Sequence, residues 1–292
     1  MTLPRPWSSI AIDPTAWPEI CAAVEAHAGE NDACRLGSYW RERMSPTMAR
    51  AIAGNGHLPY GFVGDGWPIR TDQAHVLRRD ALGLSMFYHP DDLHTRDAGD
   101  AVEQGNWLIE EALARVPVGR IVVADVGAGY GRLAVPFIGH LKERLVYLGI
   151  DYSPIGLLVA PQFIAQATHA ADVFGFPTFE EHPFTVAEIP YTHTEGTPWF
   201  YSLPAWRLDR VRPRSVHVVA AIHSFQEMEL RTVRWYLRWI EAVAAPGAIV
   251  YSVNGDDEAW LGDVPKSWAC VCDDMPVANR DGNYRARLWA TS

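Results

Sequence analysis

Residues 121–151 read IVVADVGAGYGRLAVPFIGHLKERLVYLGID, and this stretch decides the fold. Ile121 to Val126 is apolar apart from Asp125 and rich in β-branched side chains, with no polar alternation. Such a run marks a parallel strand buried on both faces. Gly127, Gly129 and Gly131 follow at once. A glycine-rich turn between a buried strand and a helix lets backbone N–H groups approach a ligand that a Cβ would hold away. A second apolar strand, Leu145 to Ile150, closes on Asp151. A carboxylate at that end of a strand accepts hydrogen bonds from the hydroxyls of a ribose. Strand, glycine turn, helix, strand and acid is the order of a βαβ unit that binds a nucleotide or nucleoside.

The spacing separates two kinds of ligand. A dinucleotide fingerprint is G-x-G-x-x-G, and here its last place holds Arg132. The pattern is instead D-x-G-x-G-x-G, with Asp125 two residues before the first glycine. An anion there repels a pyrophosphate but suits the α-amino group and sulfonium of S-adenosylmethionine. Asp125-Val126-Gly127-Ala128-Gly129-Tyr130-Gly131 resembles the first motif of the class I S-adenosylmethionine-dependent methyltransferases, and Asp151 matches their ribose acid. The resemblance implies a Rossmann-like α/β fold with a seven-stranded sheet and helices on both faces. It also implies that Asp125, Gly127, Ala128, Gly129, Gly131 and Asp151 hold the cofactor. A nicotinamide or flavin site, and a glycine turn that only joins two elements, are the alternatives.

Downstream, Tyr152 is placed to lie along the adenine, and Ser153-Pro154 opens a helix over Ile155–Ala171. The third core strand is expected at Trp199–Tyr201, with Ser202, Leu203 and Pro204 at its carboxyl end beside the adenine; Phe184–Ile189 competes for that place. Ser215–Ile222 is a buried strand whose end offers Ala221 and His223 to the cofactor. A helix from Glu227 to Ala244 follows, with Val233, Leu237, Ile240 and Val243 on one face. Gly247–Val253 is the next strand, and Trp268–Val271 with Tyr284–Ala290 forms a closing antiparallel pair.

Upstream, Trp17 to Ala28 has a helical pattern, and a helix from about Asp100 to Ala114 leads into the core strand. Residues 54–68 form a long loop dense in glycine and aromatics, read as a substrate lid with Tyr60 and Trp67 as contacts, against the alternative of a surface excursion without a role. His89 is a further candidate contact. The division drawn is a helical and loop region over 1–104 and a cofactor-binding domain over 105–292.

Ligands of open parallel sheets lie beyond the strands' carboxyl ends, which brings the turn from His223 to Glu227 towards the transferred methyl group. Methyl transfer mainly requires the acceptor to be held in line. An alcohol acceptor also sheds a proton, and His223 is the candidate base, with Glu227 or Gln226 orienting the acceptor or the imidazole. A main-chain contact by His223, and Glu227 as a helix N-terminal acid, are the blander alternatives. Ser224-Phe225-Gln226-Glu227-Met228 is similar to the turn after strand four in a sugar O-methyltransferase family of bacterial polysaccharide and antibiotic pathways, a resemblance over about residues 105–255. It implies a sugar-like acceptor. An N- or C-methyltransferase of a small aromatic or peptide is the second reading, and a noncatalytic or NAD-binding protein the third.

Composition narrows the partners. The chain has 292 residues, 25 basic and 35 acidic, for a net charge of −10. Without a basic run a nucleic-acid substrate is disfavoured and a small molecule is expected. No apolar run reaches a membrane span and no secretory signal opens the sequence, so the cytoplasm is the expected compartment. Cys21, Cys34, Cys270 and Cys272 have no metal-ligand spacing, and no metal is expected. The acidic surface suits a monomer and a homodimer alike.

Overall fold

Valine, isoleucine and leucine set the sheet. In the computed structural model, which describes residues 10, 12–35, 80–88, 93, 96–168, 172–175, 197–255, 259–273 and 284–292, strand β1 (Ile121–Val126) pairs in parallel with β2 (Leu145–Asp151) from Ile121 against Leu145 to Val126 against Ile150. All six residues of β1 are buried, which explains the missing polar alternation. β3 (Asp172–Phe174) and β4 (Trp199–Pro204) continue the parallel sheet beyond β2. On the other side of β1 lie β5 (Val216–Ile222) and β6 (Ala244–Gly255), also parallel. The antiparallel pair expected at the end is present as β7 (Ala269–Asp273) and β8 (Tyr284–Ala290), with β8 inserted next to β6. The order is β3-β4-β2-β1-β5-β6-β8-β7.

This is the expected Rossmann-like α/β sheet with one strand more than the seven anticipated. The addition is β3, a half-buried edge strand. Trp199–Tyr201 is the third core strand as read, extended through Pro204. Its competitor at 184–189, the lid at 54–68, Tyr60, Trp67 and His89 lie outside the described residues.

The described α-helices are α1 (Trp17–Ala26), α2 (Arg96–Arg115), α3 (Ala134–Leu141), α4 (Pro154–Thr168) and α5 (Leu230–Val243). On α5 the residues Val233, Tyr236, Leu237, Ile240 and Val243 are buried, the three-and-four spacing of one helical face. α2 runs without a break through residue 104. One start differs from expectation. The helix anticipated from Glu227 begins only at Leu230, because Phe225–Glu227 closes a separate 3-10 turn and Met228 is extended at φ −97°, ψ 152°. Glu227 is therefore not an acid in the first turn of α5.

The N-terminal segment is clasped over the carboxyl ends of β2 and β4. Tyr152 donates its hydroxyl to the Val24 carbonyl at 2.7 Å, Thr232 Oγ1 donates to the Asp32 carbonyl at 2.8 Å, and the His27 ring stacks on Trp206 with centroids 4.8 Å apart.

Candidate functional site

β1 connects to β2 on one side and lies beside β5 on the other, so a crevice opens at the carboxyl end of β1 where the strand order reverses. Ligands of open α/β sheets occupy that crevice, and the glycine bend stands in it. Gly127, Gly129 and Gly131 have φ of +74°, +57° and +85°, a region that costs other residues strain. Their reasons for being glycine differ. A Cβ on Gly127 would come within 2.4 Å of Ser224 Cβ, and one on Gly131 within 3.3 Å of Ile164, whereas one on Gly129 would meet nothing within 4 Å. Gly129 is where the bend faces open space.

The N–H groups of the bend point inward, against the expectation that they would face a ligand. Gly127 and Ala128 both donate to the Ile150 carbonyl, at 2.9 and 3.1 Å, Gly131 donates to the Ala128 carbonyl at 2.9 Å, and Gly129 donates to Asp151 Oδ2 at 3.1 Å. A phosphate cradle needs these donors for the anion. Here the end of β2 takes three of the four and the bend's own Ala128 carbonyl the fourth.

The two acids differ in setting. Asp151, partly exposed at the end of β2, accepts from Gly129 N–H and, through Oδ1, from Ser153 N–H at 2.7 Å. Desolvation pushes its carboxyl up, and hydrogen bonds from Ser153, Gly129 and Tyr152 oppose that. The two closest of these donors are the N–H groups of Gly129 and Ser153, one on each carboxylate oxygen. Asp125 is 4% exposed, and Tyr147, itself fully buried, donates its hydroxyl to Oδ2 at 2.7 Å. Burial raises the Asp125 carboxyl to about 6 from an ordinary 3.8, with Tyr147 and Arg132 lowering it and Asp151 raising it.

A pH dependence follows. Between about pH 4 and 6 native Asp125 holds a proton that the unfolded chain has released, so stability falls as pH rises through that window and is then level. Asp125→Asn is neutral at every pH. It should raise the unfolding free energy by roughly 2–3 kcal/mol at pH 7.5 and change it little at pH 4. Urea titrations at the two pH values measure this, and an equal change at both would show that ionisation is not the cause.

At the carboxyl end of β5 the chain reverses through His223, whose φ is +57°. His223 N–H donates to the Val253 carbonyl at 2.7 Å, and its ring meets Tyr284 edge-on at 4.4 Å. Gln226 is exposed and its Oε1 accepts from Gly255 N–H at 2.6 Å. Glu227 is half-buried, with its N–H donating to the Ser224 carbonyl at 3.1 Å. Asn254, which sequence reading passed over, ties the strand ends together: Nδ2 donates to the Ala221 carbonyl at 3.0 Å and to Ser252 Oγ at 2.6 Å, while Oδ1 accepts from Gln226 N–H at 3.3 Å. The signal for it was a polar residue closing an otherwise apolar strand.

On the other side, Pro204 lies opposite Asp151 in the register of β2 and β4, and Ser202 and Leu203 are buried. Tyr152 is 7% exposed, with burial raising its hydroxyl to about 12 and its ring edge-on to Trp206. Trp206, the aromatic that the turn after β4 contributes here, was not singled out from the sequence. Two further residues carry the site from outside the motif. Gly156 on α4 lies so close to Asp151 that a Cβ would approach Oδ2 to 2.3 Å, and Tyr236 on α5 is buried and raised well above the ordinary tyrosine range, by burial first and then by the charges of Asp151 and Cys34. Among the described residues no three His, Cys, Asp or Glu side chains gather as a metal would require, and no helix is long and apolar enough to cross a membrane.

No family model and no curated protein matches the chain. Among solved structures it is similar to TrmN from Thermus thermophilus, at 16% identity over 66% of this chain and 49% of that one, TM-score 0.43. It is similar to the magnesium protoporphyrin IX methyltransferase ChlM from Synechocystis PCC 6803 with bound S-adenosylmethionine, at 12% identity over 76% and 98%, TM-score 0.40. The N-methyltransferase NodS from Bradyrhizobium japonicum WM9 gives 10% identity over 66% and 96%, TM-score 0.40. Likenesses this loose name no substrate.

Proposed function

We propose that this chain is an S-adenosylmethionine-dependent methyltransferase that methylates a hydroxyl of a sugar or sugar-like small molecule. The observation that carries the reading is the glycine bend: it is open at Gly129, its N–H donors are engaged within the fold, and a carboxylate, Asp151, stands at its rim. A ligand suited to that rim brings hydroxyl donors rather than a diphosphate. Asp151 would hold the ribose, the end of β4 from Ser202 to Pro204 with Tyr152 would border the adenine, and Asp125 would attract the ammonium of the amino-acid tail through the field behind the bend. When bound, the cofactor supplies a methyl carbon made electrophilic by its sulfonium.

The chain's own contribution is to orient the acceptor and to take its proton. His223, turned at the end of β5 with its ring against Tyr284, would serve as the base, since an imidazole is the side chain that accepts a proton near neutrality. Support for a sugar-like acceptor comes from the Ser224–Met228 turn and from the net charge of −10, which disfavours a polyanion.

Calorimetry with S-adenosylhomocysteine and with NAD tests the cofactor. Binding of the first and not the second is expected, and the reverse would overturn the reading. A labelled methyl donor offered to glycosides, aromatic amines and peptides, followed by mass spectrometry, tests the acceptor. His223→Ala should then lower turnover with little change in cofactor affinity, and full turnover would remove His223 as the base.

A further inference from the structure

The geometry points to a second binding site, a cleft on the outer face of α5 that receives a phosphate monoester of a small molecule. It shares no residue with the crevice and does not depend on the cofactor reading above. The cleft has a volume of about 380 Å³, within the range of small-molecule sites. One wall is α5 from Arg234 to Glu241, and the other is the segment from Asp263 to Ser267. Leu237 and Pro265 are its apolar part.

Both walls are fixed. The second is a chain of turns, in which the N–H groups of Asp263, Val264 and Trp268 donate to the carbonyls of Trp260, Leu261 and Pro265 at 2.9, 3.2 and 3.0 Å. Trp260 and Trp268 anchor it in the core. Two side-chain bridges then span the cleft. At one end Arg234 Nε donates to Asp263 Oδ2 at 2.8 Å, and at the other Ser267 Oγ donates to Glu241 Oε1 at 3.2 Å. Residues 234 and 241 lie about 10 Å apart along a helix, so a gap is left between the bridges.

Arg238 comes between the two bridges on α5, and Lys266 comes between them on the facing wall. Both are exposed, and among the described residues neither has a carboxylate partner. Glu241 is the acid that a three-residue helical spacing would give Arg238, but it reaches across to Ser267. Arg231, further along the same helix, is by contrast paired with Glu229, Nε to Oε2 at 2.6 Å. In a chain of net charge −10, two cations without partners between two fixed walls are a place for an anion from outside.

The charges say which anion. The guanidinium of Arg238 offers a planar fork that matches phosphate oxygens, and Lys266 adds a point charge. A phosphate monoester carries about −1.5 to −2 near pH 7, which two cations balance, whereas a carboxylate carries half of that. The remaining volume beside Leu237 and Pro265 takes the organic group, and Glu241 accepts from a hydroxyl on it.

Calorimetric titration of the full chain with glycerol 3-phosphate, against glycerol and sodium chloride at matched ionic strength, tests this. Binding of glycerol 3-phosphate alone is expected. Arg238→Ala and Lys266→Ala should each weaken it about fivefold. Arg231→Ala, which removes the same charge from the same helix outside the cleft, should leave it unchanged. All three positions are exposed, so the fold is kept, which circular dichroism checks. No binding of glycerol 3-phosphate would overturn the inference, and so would an equal loss in Arg231→Ala, which would mean attraction by bulk charge. Tighter binding of a phosphoserine peptide than of glycerol 3-phosphate would overturn the small-molecule assignment in favour of a protein partner.

Discussion

Replacing Asp151 by alanine lowers affinity for S-adenosylhomocysteine by about a thousandfold while leaving a folded protein. The estimate has two parts. A charged acceptor contributes about 1.5–3 kcal/mol per hydrogen bond, and a carboxylate at the end of this strand takes the hydroxyls of a ribose, so the loss of two such bonds is worth roughly 4 kcal/mol, or three decades in affinity. In addition, Asp151 Oδ2 holds the N–H of Gly129, the residue where the bend is open. Without it the bend loses its tie to the end of β2. Asp151→Asn separates these parts, because the amide keeps an acceptor oxygen for Gly129 while removing the charge, and its loss should be intermediate. Calorimetry gives the affinities and urea unfolding shows that the sheet survives. Loss of less than threefold in Asp151→Ala would remove Asp151 from the site and with it the reading of the bend.

Much of this candidate site was legible because its first half is contiguous. Asp125, the three glycines and Asp151 fall within one βαβ unit of the sequence, where strand and turn signals act locally. The groups that tune it are not local. Tyr147 reaches Asp125 from the neighbouring strand, and Ser224, just beyond β5, meets Gly127 from almost a hundred positions on. Each pairing is set by sheet order and register, which no motif spells out. The direction of the bend's N–H groups was misread for the same reason: the composition suits a cradle, but the Ile150 carbonyl of β2 draws two of the donors inward. β3 was missed because three residues are too few to show a period, and the start of α5 was misplaced because Glu227 has the composition of a first helical turn while Met228 has an extended backbone.

Gly156→Ala provides the sharpest test of how Asp151 is placed, since helix propensity alone predicts a gain. Alanine in the body of a helix is favoured over glycine by about 1 kcal/mol, and Gly156 lies within the first turn of α4 with an ordinary helical role. The added Cβ, however, would sit 2.3 Å from Asp151 Oδ2 and 2.5 Å from its Cγ. The carboxylate is the movable party. It would rotate away, releasing Gly129 and Ser153. Stability should therefore change by no more than about 1 kcal/mol, because helix propensity offsets the lost hydrogen bonds. Affinity for S-adenosylhomocysteine should fall by several hundredfold, as the ribose acceptor leaves its place. If both substitutions act through the same carboxylate, their effects do not add: the double variant Asp151→Ala, Gly156→Ala should bind no more weakly than Asp151→Ala alone. Additive losses would mean that Gly156 contacts the ligand by itself, and wild-type affinity in Gly156→Ala would mean that the position of Asp151 does not matter to binding.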